Sequence, residues 1–241
     1  MREPDPAFAD PRLAGLYDFF DSDRSDLDLY VNIADEVGAA TVVDIGCGTG
    51  SLAVRLARLG LRVIGVDPAL ASLDVARSKS DADRVEWLHG DATVLEGRGV
   101  DADLAVMTGN VAQVFVEDVD WARTLDAVHG CLCADGWFAF ETRRPEVRDW
   151  ERWKIAPTVV ALPGGESTVV SRTVTAVEPP LVTFESSTVI EGDEVLSTST
   201  LRFRERDEIQ RDLTVHGFRV VDVRDPPDRP GKELVFVTRR A

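Results

Sequence analysis

The stretch Val42-Val43-Asp44-Ile45-Gly46-Cys47-Gly48-Thr49-Gly50 decides the fold of this 241-residue chain. Its apolar, β-branched start predicts a buried strand, and the three glycines then break that strand before a helical pattern over residues 51–59. Glycines allow positive φ and let a ligand approach the backbone without meeting a Cβ atom. The following helix offers its free N–H groups and the positive end of its dipole. The stretch therefore predicts a ligand-binding turn between strand and helix.

Two later strands also end in carboxylates. The predicted strand at 62–66 leads into Asp67-Pro68, and the one at 84–89 leads into Asp91-Ala92. Because parallel strands bring their carboxyl ends to one edge of the sheet, where open α/β sheets bind ligands, we expect one shared site there. An acid at the position of Asp67 can accept both hydroxyls of a ribose.

The glycine spacing limits the class of nucleotide. It is G-x-G-x-G, without the third glycine of the G-x-G-x-x-G pyrophosphate site, and no G-K-[ST] follows for a triphosphate. The pattern favours a nucleoside without phosphates. Asp44, beside the turn, can attract a cationic amine or sulfonium.

Strands and helices alternate up to about residue 144, which predicts an α/β fold with a parallel sheet covered by helices on both faces. The predicted strands cover residues 41–45, 62–66, 84–89, 103–107 and 137–142, and a helix is expected to extend as far as Leu132. Runs rich in Val, Thr and Ser between 158 and 204 predict an antiparallel meander. The short connection between the last two strands, 218–223 and 233–238, permits only an antiparallel return.

We expect three regions along the chain. Residues 1–38 form an N-terminal helical cap, residues 39–144 and 205–241 form the core, and residues 145–204 form the inserted meander. The meander is expected to cover the substrate or to form a homodimer interface.

Composition excludes several kinds of partner. The 27 basic and 43 acidic side chains give a net charge of −16 without a dense Lys/Arg cluster, so we expect neither nucleic acids nor anionic membranes as partners. The alternative explanation is that the acidic side chains only keep the protein soluble. No run approaches the ~20 apolar residues of a membrane span, the amino end lacks a signal sequence, and three cysteines form no disulfide framework. These features predict a cytoplasmic protein with a small-molecule partner.

Together these motifs resemble the class I S-adenosylmethionine (SAM)-dependent methyltransferases. The resemblance implies a Rossmann-like, seven-stranded, mostly parallel sheet with an antiparallel last strand, plus the inserted antiparallel β-meander. It places the methionine end of SAM at residues 44–50, the ribose on Asp67 and the adenine on Asp91-Ala92. The stretch 103–110 resembles the motif that faces the methyl group. The implied cofactor-binding residues are Tyr17, Asp44, Gly46, Cys47, Gly48, Gly50, Asp67, Pro68, Asp91, Ala92 and Thr108.

Within that family, Leu16-Tyr17-Asp18 and the meander resemble small-molecule enzymes that dimethylate amino sugars. The resemblance implies that Tyr17 closes over the methionine end and that Glu141 lines the acceptor pocket. Those enzymes carry His in a G-H-[LV] step, whereas this chain has Gly109-Asn110-Val111. Asn cannot accept a proton at neutral pH. Either the acceptor arrives deprotonated, another group acts, or the substrate differs.

Candidate residues for the acceptor lie at and after the ends of the fourth and fifth strands. Glu141 can hold an amine or accept its proton, and Arg143 can clamp a carboxylate. The candidate catalytic residues are Glu141 and Asn110, and the candidate acceptor-binding residues are Asn110, Gln113, Glu141, Arg143, Trp150 and Trp153. Cys131 and Cys133 have no partnering Cys or His nearby, so we expect no metal.

Three functions remain open from the sequence. The first is methyl transfer from SAM to nitrogen or oxygen of a small metabolite. The second is a non-catalytic regulatory protein that binds SAM or S-adenosylhomocysteine (SAH). The third, a nicotinamide-dependent oxidoreductase, is disfavoured by the glycine spacing and the closing hairpin.

Overall fold

The computed structural model describes residues 3–241 and has a mixed α/β fold built on two sheets. The strands are β1 (Thr41–Ile45), β2 (Arg62–Asp67), β3 (Val85–His89), β4 (Ala102–Met107), β5 (Leu132–Arg143), β6 (Ile155–Ala161), β7 (Ser167–Glu178), β8 (Leu181–Ile190), β9 (Asp193–Arg202), β10 (Phe218–Arg224) and β11 (Glu233–Arg240). The helices are α1 (Pro6–Ala9), α2 (Pro11–Phe20), α3 (Asp28–Glu36), α4 (Ser51–Arg58), α5 (Leu70–Ser78), α6 (Asp118–Cys131) and α7 (Arg206–Val215).

The larger sheet has seven strands in the order β10-β11-β5-β4-β1-β2-β3. Strands β1 to β5 pair in parallel, whereas β11 is antiparallel to both β5 and β10. The chain moves outward from β1 to β3 and then returns to β4 on the other side of β1. This reversal of direction creates a crevice at the carboxyl ends of β1 and β4, which is where such sheets bind ligands. The predicted fold class is confirmed.

Apolar side chains cover both faces of this sheet. In β1, Val43 and Ile45 belong to one buried cluster, and Val42 belongs to another on the opposite face. Successive side chains of a strand point to opposite faces, so a strand buried on both faces reads as a continuous apolar run. This explains why the short strand at 41–45 was recognisable from sequence.

The smaller sheet is the expected meander, with four antiparallel strands in the order β6-β7-β8-β9. Its own small cluster of buried residues contains Trp150, Val182 and Phe203. Helix α1 links the smaller sheet to helix α5, because Ala7 N donates to Ser197 Oγ on β9 at 3.0 Å and Ser72 Oγ on α5 donates to Phe8 O at 3.1 Å. The regional boundaries at 38, 144 and 204 stay a prediction, and residues 1–2 of the cap lie outside the described residues.

The prediction that the helix before β5 extends to Leu132 is wrong. The sequence pattern placed it on the helix, but α6 ends at Cys131 and Leu132 begins β5. Its backbone is extended and pairs in parallel with Ala102 of β4. Pairing with a strand thus prevails over the helical spacing of the apolar residues.

Replacing Gly50 with alanine is expected to destabilise the fold strongly. Gly50 has a φ of +76°, and a Cβ there would lie 2.4 Å from the Trp87 ring and 2.9 Å from Ala76 Cβ. Overpacking and left-handed strain together predict a loss of about 2–4 kcal/mol in the free energy of unfolding. Urea denaturation measures it.

Gly60→Ala is the matched control for this variant. Gly60 also has positive φ, at +94°, but a Cβ there meets nothing within 4 Å. The control therefore carries the backbone strain without the clash. Equal losses in the two variants would show that the Trp87 contact contributes nothing.

Candidate functional site

A cavity of about 320 Å³ opens at the carboxyl ends of β1, β2, β3 and β4. All but one of the residues expected to bind the cofactor line it. They are Tyr17, Asp44, Gly46, Cys47, Gly48, Asp67, Pro68, Asp91, Ala92 and Thr108. The exception is Gly50, whose Cβ position faces Trp87 instead. The structure thus brings the ends of four strands into one site, although the roles of these residues stay predictions.

The carboxylate of Asp67 fixes the shape of the glycine turn. Its Oδ2 accepts a hydrogen bond from Gly48 N at 2.8 Å, and its Oδ1 accepts one from Ala69 N at 2.7 Å. Burial raises the pKa of Asp67 despite these two bonds. Each oxygen retains further lone-pair capacity, and Asp67 lines the cavity. The side chain can therefore accept hydroxyl groups while it holds the turn.

Gly48 has the conformation that this arrangement requires. Its φ is +54°, and no atom lies within 4 Å of where a Cβ would be. The residue lines the cavity, so an added side chain would be strained and would occupy space that a ligand needs.

Asp44 is a buried carboxylate without a hydrogen-bond partner. It is 1% exposed, and neither Oδ1 nor Oδ2 has a partner among the described residues. Burial, with a smaller contribution from the charge of Asp67, raises the pKa of Asp44 to about 7. A buried unpaired polar group is costly. Because Asp44 lines the cavity, a bound cationic group would supply the missing partner.

Arg24 is a cavity residue that sequence reasoning missed. It forms ion pairs with Asp21 (Nη1 to Oδ2, 3.4 Å) and Asp26 (Nε to Oδ1, 3.4 Å), and its Nη2 donates to Asp26 Oδ2 at 3.4 Å. It lines the same cavity as Asp44 and is close enough to lower the pKa of that carboxyl. An unpartnered carboxylate and an ion-paired guanidinium therefore face one space. No periodicity or motif marks Arg24, which lies in the turn between α2 and α3.

Helix α2 is fastened to the glycine turn by Asp18. Thr49 Oγ1 donates to Asp18 Oδ1 at 2.6 Å, and Lys79 Nζ lies 2.6 Å from Asp18 Oδ2. The neighbouring Tyr17 is half-buried, lines the cavity, and has its ring 6.0 Å from that of Phe8. The helix thus holds an aromatic side chain at the cavity, as the resemblance implies.

The opposite wall of the cavity combines Asp91 with apolar side chains. Asp91 Oδ1 accepts from Thr93 N at 3.0 Å, which fixes the carboxylate at the end of β3. Val111 and Phe115 line the cavity as well. A carboxylate beside apolar walls suits a flat, heteroaromatic base.

The candidate catalytic residues lie behind this cavity and are not among its lining residues. Glu141 is 4% exposed, and it accepts hydrogen bonds from Tyr30 Oη at 2.9 Å and Asn110 N at 3.2 Å. The Asn110 side chain turns away and donates to Glu233 Oε1 at 3.0 Å. Gly109, the residue before Asn110, does line the cavity. The pair therefore adjoins the site through the backbone at residues 109–110.

Glu141 is poised to exchange a proton near neutral pH. Burial, followed by the charge of Glu233, raises the pKa of Glu141 to about 7. A carboxyl with such a pKa matches what general acid–base chemistry needs. Neither Tyr30 nor Glu233 was singled out from the sequence, because their contacts with Glu141 join elements distant along the chain.

The remaining acceptor candidates divide between a second cavity and the core. Arg143 and Trp153 line a cavity of about 260 Å³. Gln113 is fully buried, where its Oε1 accepts from Arg143 Nη1 at 2.9 Å. Trp150 packs in the apolar cluster with Phe203.

The meander also reaches the first cavity. Thr200 on β9 lines it together with Phe8 of α1. The Val- and Thr-rich sequence of β9 does not predict that Thr200 lines this cavity, because that position depends on the packing of the smaller sheet against the rest of the chain.

Within residues 3–241, His, Cys, Asp and Glu form no group of three or more that could hold a metal ion. In the same residues, no helix has the length and apolar character of a transmembrane segment.

The fold and the cavity define the class: an α/β protein with a ligand-sized cavity at the carboxyl edge of its larger sheet. Comparison with known proteins supports this. Residues 42–136 match the family model described as a methyltransferase domain. A protein from Geobacillus sp. named as a methyltransferase is 34% identical over 106 residues, or 43% of this chain and 42% of that protein. The match thus spans less than half the length of this curated relative.

Two solved structures share the fold over nearly the whole chain. A SAM-dependent methyltransferase from Clostridium acetobutylicum matches with a TM-score of 0.76 at 16% identity, over 95% of this chain and 97% of that one. A SAM-bound amino pentose methyltransferase from Micromonospora echinaspora gives 0.70 at 19% identity, over 92% and 94%. The chain therefore has the fold of the class I SAM-dependent methyltransferases, and residues 42–136 are similar to a methyltransferase domain. The resemblance drawn from the motifs is confirmed.

Asp44→Asn is expected to stabilise the ligand-free protein at alkaline pH. The ordinary pKa of Asp44 is 3.8 and its folded value is about 7, so the folded state binds the extra proton. The free energy of unfolding of the parent protein therefore falls as pH rises from about 4 to about 7. At about pH 8 the variant should be more stable by roughly 1–3 kcal/mol, the cost of an unpaired buried group.

Urea denaturation at about pH 5 and about pH 8 checks this expectation, since the gain should shrink at the lower pH. Asp135→Asn, at a side chain that is 72% exposed, is the control and should show little pH-dependent difference. An Asp44→Asn gain that does not depend on pH would contradict the assignment.

Proposed function

We propose that this protein transfers a methyl group from SAM to nitrogen or oxygen of a small molecule. The observation that carries the proposal is the unpartnered carboxylate of Asp44 in the first cavity, which the guanidinium of Arg24 also lines. The methionine end of SAM bears an ammonium group, opposite in charge to Asp44, and a carboxylate, opposite in charge to Arg24. Asp67 accepts the ribose hydroxyls, and Asp91 with Ala92 binds the adenine.

Methyl transfer needs orientation more than covalent participation of the protein. SAM supplies an electrophilic methyl on a sulfonium, and the enzyme must hold the acceptor atom in line with it. In the proposal, Asn110 with the adjoining backbone orients the acceptor and Glu141 accepts its proton, as a carboxyl with a pKa of about 7 can. The meander covers the substrate, a role that Thr200 at the first cavity supports. Homodimer formation through the meander is a separate prediction that sedimentation analysis tests.

A regulatory protein that binds SAM or SAH without catalysis is the second candidate. It is favoured by the placement of Glu141 and Asn110, because neither side chain lines the first cavity. The experiments below separate it from the enzyme.

Calorimetric titration with SAH and with NAD tests the cofactor assignment. We expect SAH to bind and NAD not to. Asp67→Ala should weaken SAH binding about 10–150-fold, since hydrogen bonds to a charged group contribute about 1.5–3 kcal/mol. Tight NAD binding, or an unchanged dissociation constant in the variant, would refute the assignment.

Asp103→Ala is the matched control for Asp67→Ala. The Asp103 carboxylate also accepts from two backbone N–H groups, those of Ala40 at 2.9 Å and Thr41 at 2.8 Å. It lies at the start of β4, at the opposite edge of the sheet from the cavity. This variant therefore removes a comparable structural carboxylate and should leave SAH affinity unchanged.

A screen for SAH release over amines, amino sugars, phenols and carboxylic acids tests catalysis. With an accepted substrate, Glu141→Gln should lower kcat about 100-fold, because general base catalysis contributes about 10²–10⁴. SAH affinity should change little, while Glu146→Gln at the exposed turn after β5 serves as the control. Equal loss of kcat and SAH affinity would mean that Glu141 is structural. Tight SAH binding with no turnover across the panel would favour the regulatory candidate.

A further inference from the structure

The second cavity, of about 260 Å³, is lined by three basic and two acidic side chains and one indole. These are Arg143, Arg229, Lys232, Asp149, Glu233 and Trp153. We propose that this cavity binds a negatively charged carboxylate or phosphate group of a small molecule. The inference deepens the proposed function, on which it rests for the link to methyl transfer.

Charge sets this cavity apart from the rest of the surface. The chain as a whole carries −16, yet the lining has one more basic than acidic side chain. Low-dielectric walls concentrate the field of such a cluster. An anion repelled by most of the protein therefore meets attraction here.

The two acids of the cavity already have partners. Glu233 Oε1 accepts from Arg229 Nη1 at 2.9 Å and from Asn110 Nδ2 at 3.0 Å. Asp149 Oδ2 accepts from Trp153 Nε1 at 3.4 Å. The Glu233–Arg229 ion pair offsets one charge of each sign, which leaves Arg143 and Lys232 facing Asp149 alone.

The two remaining cations keep unused donors. Arg143 donates from Nη1 to Gln113, while its Nε is 3.9 Å from Glu233. Lys232 Nζ comes no closer than 3.9 Å to Asp149, the one acidic partner that the described residues give it. Both contacts are too long for hydrogen bonds. A guanidinium and an ammonium thus have N–H groups available for a carboxylate or phosphate.

The Trp153 ring and the burial of Arg143 both favour anion binding by its guanidinium. The guanidinium carbon lies 5.2 Å from the centre of the Trp153 ring, within the distance of a cation–π contact. Burial lowers the pKa of Arg143, so its charge is under-compensated in the ligand-free protein. A bound anion would offset that cost.

Asn110 connects this cavity with the first one. Gly109 lines the first cavity, and the Asn110 side chain holds Glu233, which lines the second. Glu141 accepts from Asn110 N between them. An anion in the second cavity thus lies next to the groups proposed to handle the acceptor. The anion is either the acidic end of the acceptor or a free ion.

Titration of the protein with inorganic phosphate and with benzoate, followed by tryptophan fluorescence and calorimetry at low ionic strength, tests the proposal. We expect saturable binding of one equivalent, weakened at least tenfold by Lys232→Gln and by Arg143→Gln. Lys232 is half exposed and without a close partner, so its variant should fold even if Arg143→Gln does not. Trp153→Phe should abolish the fluorescence change while calorimetric binding persists.

Arg148→Gln is the matched control. It removes the same charge from the neighbouring turn, but Arg148 is 62% exposed and does not line the cavity. Its anion affinity should stay within twofold of the parent. Absence of saturable binding in the parent protein, or equal weakening in Arg148→Gln, would overturn the proposal.

SAH titration of the same samples separates this proposal from the proposed function. Failure of SAH binding with intact anion binding refutes the methyltransferase alone, and the reverse refutes the anion site alone. Two patterns identify the source of the anion once an acceptor is found. Phosphate that raises KM at constant kcat marks the acceptor's own acidic group, whereas phosphate that changes kcat or SAH affinity marks a free ion.

Discussion

The hydrogen bonds of Asp67 are the constraint on which the site depends. One carboxylate at the end of β2 holds Gly48 N at 2.8 Å and Ala69 N at 2.7 Å. It thereby ties the turn after β1 to the start of α5. Gly46 N and Cys47 N also donate to Val66 O of β2, at 2.8 Å and 3.1 Å, so Asp67 extends to Gly48 a turn that the backbone already holds against β2. The same side chain faces the cavity, so the group that shapes the cradle is also available to its ligand.

A buried carboxylate in the first cavity lowers the stability of the ligand-free protein. Among the described residues, Asp44 has no hydrogen-bond partner for either carboxylate oxygen. Such groups lower stability unless a ligand completes them. Buried polar groups without hydrogen-bond partners are expected mainly at functional sites, where a ligand supplies the missing partner. The pattern of unsatisfied groups is therefore as informative about the ligand as the glycines are.

Local sequence signals predicted the sheet and the cradle well. The apolar strands, the glycine turn and the acids at 67 and 91 carry their information within a few residues, and the structure brings them together. Arg24, Glu233 and Thr200 escaped prediction because they reach the two cavities only through the packing of distant elements. The register of β11 against β5 places Glu233 opposite Arg143, and nothing local encodes that pairing. Leu132 likewise follows the strand beside it rather than its own helical spacing.

The reversed direction of β11 divides the molecule into parts that can change independently. Because β11 runs against its neighbours, its first residue, Glu233, stands at the carboxyl edge beside the site. The hairpin loop before it supplies Arg229 and Lys232 to the second cavity. Loops vary in sequence and accept insertions more readily than the strands they join. Evolution can thus retune the recognition of one ligand through this hairpin while the cradle on β1 and β2 is inherited unaltered.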